Sequence, residues 1–167
     1  PVVLTGSADG TVTYGNDSVT VDASHTEEGY LMVSYSGSNS KVKLQITGSD
    51  EITYTYNLHD GYETFPLTSG SGSYTVGVFE NIEGTSYSTL FTQAIDVTIQ
   101  DEFGPYLYAN QYVNFSADSK VISKAMELSA SANDDLEVIE NVYNYIITNF
   151  TYDYDKAASV QSGYLPD

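Results

Sequence analysis

Seven short stretches in which apolar and polar residues alternate constrain this chain more than any other feature. Val19 and Val21 alternate in the first, Leu31, Val33 and Tyr35 in the second, and Val42, Leu44 and Ile46 in the third. Ile52, Tyr54 and Tyr56 follow, then Phe65 and Leu67, then Tyr74, Val76 and Val78, and last Ile95, Val97 and Ile99. A period of two sends successive side chains to opposite faces of an extended strand, so each stretch offers one apolar face and one wet face of Thr, Ser, Lys or Asp. Turn-forming clusters separate them: Ser36–Ser40, Gly48–Asp50, His59–Gly61, Ser69–Gly72 and Glu80–Thr85.

Seven or eight strands with turns this frequent, over roughly 100 residues, predict an antiparallel sandwich of immunoglobulin-like type across 1–104. Pro66 lies inside its stretch and cannot donate to a ladder, which places that segment at an edge or a break. The chain has no Cys, so no inter-sheet disulfide is available and apolar burial must hold the sheets together. Gly70-Ser71-Gly72 reads as a hairpin turn, because no Lys-Ser/Thr and no helix follow to make a phosphate cradle. Pro1–Gly10 reads as either a first edge strand or an entry segment.

The period changes after Gln100. The Gly104-Pro105 break opens an aromatic-rich crossover, and Ser116–Leu128 turns helical, with Ser116 or Asp118 as cap and Val121, Ile122, Ala125 and Leu128 at helical spacing. A second helix starts at Asn133 or Asp134, with Glu137 three residues after Asp134. Its apolar residues Leu136, Ile139, Tyr143, Ile146 and Phe150 step by three and four, and Val138, Val142 and Tyr145 widen the stripe. So wide a stripe predicts a helix packed on at least two sides within a larger fold. The fold class is therefore mainly β with α, an α+β chain with a helical part at 105–167.

Composition excludes some functions. The net charge is −18, the basic residues are five Lys with no Arg, and such a surface repels nucleic acid. The absence of Cys removes thiolate metal sites and any cysteine nucleophile within these residues. No apolar run approaches the roughly 20 residues of a membrane span. A Cys-free acidic chain rich in Ser, Thr and Tyr fits a bacterial extracellular or cell-wall protein, with a cytosolic one as the alternative, and a start at Pro1 without a leader reads as a mature or trimmed product.

Candidate chemistry is sparse. His25 and His59 lie in turn-rich loops with no nucleophile beside them in sequence, which predicts solvent-facing loop histidines. Asp134-Asp135 is read as helix capping, and Asp153 with Asp155 lacks the Gly and late Glu of a calcium loop. The tyrosines read as half-buried strand packing ahead of a saccharide platform. No catalytic, cofactor-binding or metal-binding residue is assigned, and no cofactor is expected.

One segment carries a resemblance. Asn141–Asp153, NVYNYIITNFTYD, resembles the entry helix of the transglutaminase-like superfamily, with Asn149-Phe150-Thr151-Tyr152-Asp153 matching its aromatic exit motif. Phe65–Tyr87, Pro105–Phe115 and Tyr152–Asp167 are similar to secreted transglutaminase-like proteins of Gram-positive gut bacteria, in which a β-sandwich precedes the papain-related core, and the resemblance implies such a source and an extracellular or cell-wall location. The resemblance implies a parent that performs acyl transfer or peptide hydrolysis through a Cys, His and Asp set lying past Asp167, on a protein or peptide substrate. Asn149, Tyr152 and Asp153 would then be scaffold residues, and these 167 residues non-catalytic. The resemblance also implies helices that self-associate or stay partly disordered when the rest of the core is not there to cover them. The competing expectation is a free-standing adhesion or glycan-binding module, and a third is a plain spacer.

Overall fold

The computed structural model describes residues 2–161 and 163–165. It is a mixed α and β structure that divides into two compact units, Leu4–Val113, and Asn114–Asp167 together with Pro1–Val3.

The first unit holds eight strands: β1 (Thr13–Gly15), β2 (Val19–Asp22), β3 (Tyr30–Tyr35), β4 (Val42–Thr47), β5 (Thr53–Asn57), β6 (Gly61–Pro66), β7 (Gly72–Glu83) and β8 (Ser86–Val97). They form two antiparallel four-stranded sheets, ordered β1-β2-β3-β6 and β5-β4-β7-β8. The alternating apolar residues meet between the sheets: Val19, Val21, Leu31, Val33 and Phe65 from one, Leu44, Ile46, Tyr74, Val76 and Val78 from the other, all but closed to solvent. Each such aliphatic or aromatic side chain, taken from water, contributes about 1.5–3 kcal/mol. Pro66 ends β6, an edge strand, where its missing N–H costs no ladder bond.

Four expectations need correction. The loop Ser69–Gly72 is no hairpin, because β6 and β7 belong to different sheets and the loop carries the chain across the sandwich. The expected turn Glu80–Thr85 shrinks to its end, since β7 runs on to Glu83 and Gly84 supplies the left-handed turn at φ +55°. Ile52 lies outside β5 and is exposed, and Tyr54 is half uncovered because β5 is an edge. The segment 105–113 also packs on the sandwich, so the boundary falls after Val113 and not after residue 104. Tyr108 meets the Tyr30 ring at 4.4 Å, Tyr112 meets Tyr56 at 5.8 Å, and Gln111 donates to the Asn57 carbonyl at 2.6 Å. The approach is close at two glycines. A Cβ on Gly29 (φ +90°) would lie 2.5 Å from the Pro105 ring, and one on Gly104 would lie 2.4 Å from the Glu28 carbonyl.

The second unit holds α1 (Lys120–Ser129), α2 (Asp135–Asn149) and α3 (Tyr154–Ser159). The cap of α1 is Ser119, after the expected Ser116 and Asp118, and its hydroxyl accepts from the Ser116 N–H at 2.8 Å. Asp134 caps α2 by accepting from the Glu137 N–H at 2.9 Å, and Glu137 reaches back to the Asn133 N–H at 2.7 Å. These reciprocal bonds satisfy donors that the first turn leaves unpaired. The two helices meet through Asn141, which donates to the Leu128 carbonyl at 2.9 Å, and through the Lys124 ammonium, 5.0 Å from the centre of the Tyr145 ring. Leu136, Ile139, Tyr143, Ile146, Ile147 and Phe150 stay half or more exposed along α2. Among the described residues, no helix is long and apolar enough to cross a membrane.

Candidate functional site

The densest polar constellation surrounds His25. β2 ends at Asp22, and the chain turns through Ser24 and His25 into a single 3₁₀ turn, Thr26–Glu28. In that turn the Glu28 N–H donates to the His25 carbonyl at 3.0 Å, which brings the two side chains to the same side. Gly29 then reverses direction so that Tyr30 opens β3 beneath the imidazole, the rings stacked with centroids 5.3 Å apart and planes 8° from parallel.

The segment before β1 closes over this turn. The Gly10 N–H donates to Asp22 Oδ2 at 2.7 Å, the Ser7 N–H to the Tyr30 hydroxyl at 3.2 Å, and the Thr11 and Val12 N–H groups to Ser24 Oγ at 3.0 and 3.1 Å. Asp9 Oδ2 thereby comes to 2.9 Å from His25 Nε2, and Ser7 Oγ to 3.2 Å from the same nitrogen. On the opposite edge of the ring, Nδ1 lies 3.0 Å from Glu28 Oε1, and the Tyr108 hydroxyl donates to Glu28 Oε2.

Both ring nitrogens thus face carboxylates. Burial works against a charge on His25, but the hydrogen bonds it donates to Glu28 and Asp9 outweigh it and raise its pKa. The hydrogen bond from Tyr108, then that from His25, holds Glu28 below the usual carboxylate range, while burial and the Glu28 partner push the Tyr108 phenol up. Burial opposes ionisation of Asp22 too, yet Ser24, Gly10 and His25 together lower it. When it is protonated, the imidazole donates from both nitrogens and becomes a charged clamp that ties the entry segment to the sheet, with no lone pair left to accept a proton.

The expectation of a solvent-facing His25 is therefore overturned. Its side chain is only 19% exposed, and a serine does lie beside it. Spacing along the chain could have found Glu28, three residues on, but Ser7 and Tyr108 reach the site only through the fold. His59 fits its expectation as an exposed loop residue, with Nδ1 3.0 Å from Glu63.

The residues of the exit motif lie in the second unit. Asn149 ends α2 and donates to the Tyr145 carbonyl at 2.8 Å; Tyr152 is exposed with its ring against Tyr154; Asp153 caps α3 by accepting from the Lys156 N–H at 2.8 Å. Asp134 and Asp153 thus act as helix caps, and among the described residues no group of three His, Asp or Glu is placed to hold a metal ion.

An open cleft of about 460 Å³ lies at the end of the sandwich where β6 crosses to β7. The exposed ring of Tyr106 forms one side, and Thr68, Ser71, Asp101 and Glu102 offer oxygens to it. No family model, curated protein or solved structure matches this chain, so its function has to be argued from its own residues.

Proposed function

We propose that the chain is the non-catalytic front part of a secreted transglutaminase-like protein of a Gram-positive bacterium. In this reading an immunoglobulin-like sandwich carries the first helices of the papain-related core. The observation that carries it is α2. Its cap and period are those of a well-specified helix, yet Leu136, Ile139 and Tyr143 are more than 60% exposed. An apolar face of this size on a capped helix calls for a covering layer. The exit motif Asn149–Asp153 supports identifying that layer as the remainder of a transglutaminase-like domain, with these residues as scaffold.

The sandwich supports the immunoglobulin-like part. Two sheets joined by crossings and hairpins, with the order β2-β3-β6 facing β5-β4-β7-β8, follow that general plan. Tyr74, at the start of β7, donates its buried hydroxyl to the Gly70 carbonyl at 2.8 Å, as a tyrosine corner does. Val76, two residues on, fills the core position where antibody domains carry a cysteine.

The test is the reading frame beyond Asp167. A cysteine within the next few tens of residues, followed by His and Asp, is expected. The full product should then incorporate a primary amine into a glutamine-bearing peptide or cleave it, while the 167 residues do neither. An open frame with no such cysteine overturns the proposal.

The cleft beside Tyr106 favours a second reading, a saccharide-binding module, since an exposed ring flanked by hydroxyls and carboxylates suits a sugar's apolar face and its O–H donors. Binding on a glycan array that is lost in Tyr106→Ala would support it; an empty array up to millimolar ligand would remove it.

A further inference from the structure

The clamp around His25 contains a second arrangement that its charged state conceals. Ser7 Oγ, His25 and Glu28 stand in the order nucleophile, base and orienting carboxylate, at 3.2 Å to Nε2 and 3.0 Å from Nδ1. Tyr108 fixes the far oxygen of Glu28, and Tyr30 fixes the plane of the ring. That is the geometry by which a neighbouring imidazole activates a hydroxyl. One group holds it off: Asp9, whose carboxylate lies 2.9 Å from the nitrogen that would have to accept the serine proton. We propose that Ser7 is an activated surface serine that accepts an acyl group from an ester, with His25 as its base and Asp9 as the group that masks it.

The step balances without a co-reactant. Ser7 Oγ bonds to the ester carbonyl carbon, its proton passes to His25 Nε2, and the ester C–O bond breaks; an alkoxide takes that proton back from Nε2 and leaves as the alcohol, whereas a phenolate leaves with the proton still on His25. His25 Nδ1–H stays on Glu28 throughout. The charged and titratable groups around the ring are Asp9 from the entry segment, Glu28 from the 3₁₀ turn, Tyr30 from β3, Tyr108 from the crossover and Asp22 from β2. Four of these stay in place when the imidazole loses its charge. Asp9 then faces a lone pair, and its half-exposed side chain is free to turn to water. Ser7 does not leave with it, because the segment is tied by the backbone bonds of Ser7 to Tyr30 and Gly10 to Asp22, which do not depend on His25. The vacated Nε2 lone pair is left to the Ser7 hydroxyl.

Ser7 is exposed and its own N–H is committed to Tyr30, so it cannot donate to an oxyanion. The expected outcome is therefore one slow acylation per chain and no rapid turnover.

The experiment treats the 167-residue protein with p-nitrophenyl acetate and, separately, with an alkyl fluorophosphonate, following modification by intact mass and peptide mapping from pH 6 to 9. Ser7 should be modified, at a rate that rises with pH through the His25 titration followed by NMR. Asp9→Ala should lower that midpoint and speed modification at pH 7, because more of the imidazole is then neutral. Ser7→Ala should abolish it, and Glu28→Gln, confirmed folded by its NMR spectrum, should shift the pH profile. Modification spread over many serines and tyrosines, or a Ser7 rate indifferent to Asp9→Ala, overturns the proposal, as does no modification at pH 9. These outcomes are independent of what the reading frame past Asp167 encodes.

Discussion

Single residues set the sandwich's tolerance to pH and to mutation. Above the ordinary carboxylate range Asp22 and Glu28 are ionised and contribute stability; it is lost as pH falls through their depressed folded-state values. His25 acts in the other direction. Its raised pKa gives stability that is complete below about 6.5 and fades as pH rises through the folded value. Urea midpoints should therefore be highest between the two limits and decline on the alkaline side, and His25→Gln should flatten that decline. Tyr74 tests the corner: Tyr74→Phe leaves the Gly70 carbonyl without its donor and should cost about 1–2 kcal/mol in urea unfolding. The inward residues of the core were legible in the sequence because their period is local. The His25 site was not, because Ser7 and Tyr108 stand 18 and 80 residues from the partners they meet.

Elements were legible where the local pattern holds without interruption. β4 matches its alternation residue by residue, and Leu31, Val33, Tyr74, Val76 and Val78 of β3 and β7 reach the core as their alternation predicts, but the first half of β8 breaks the pattern. Val78 pairs with Phe91 while Phe79 pairs with Thr89, so Leu90 is an extra residue, and the alternation changes phase there. Leu90 and Phe91 are both partly buried in consequence, which no period-two template anticipates. The entry to α2 was legible for the opposite reason, since its cap lies within four residues. Asp134→Ala should destabilise the helix by about 1 kcal/mol, read as faster amide hydrogen exchange in its first turns, whereas Asp135→Ala should change it little.

The whole molecule combines an uncovered apolar helix with a charge of −18. The two features oppose each other, because like charge keeps copies apart and exposed Ile and Leu draw them together. Screening removes the first more than the second, with a Debye length of about 10 Å at 0.1 M salt falling to about 3 Å at 1 M. Light scattering should find monomers in dilute buffer and concentration-dependent association as salt rises. The double variant Ile139→Glu with Ile146→Glu should stay monomeric at every salt concentration. Association unaffected by that variant would mean that another surface is responsible.

The sheet order has a consequence for time as well as for stability. β3 finds its partner in β6 and β4 in β7, so neither sheet can be completed by hairpins alone. Closing these long chain loops comes before any of their contacts form, and such topologies fold in milliseconds to seconds, well behind helices of similar size. During synthesis one edge of β3 stays open until β6 has emerged, and one edge of β4 until β7. In that interval Leu31, Val33, Leu44 and Ile46 are uncovered, and the strong negative charge of the chain is what keeps nascent copies from pairing with one another.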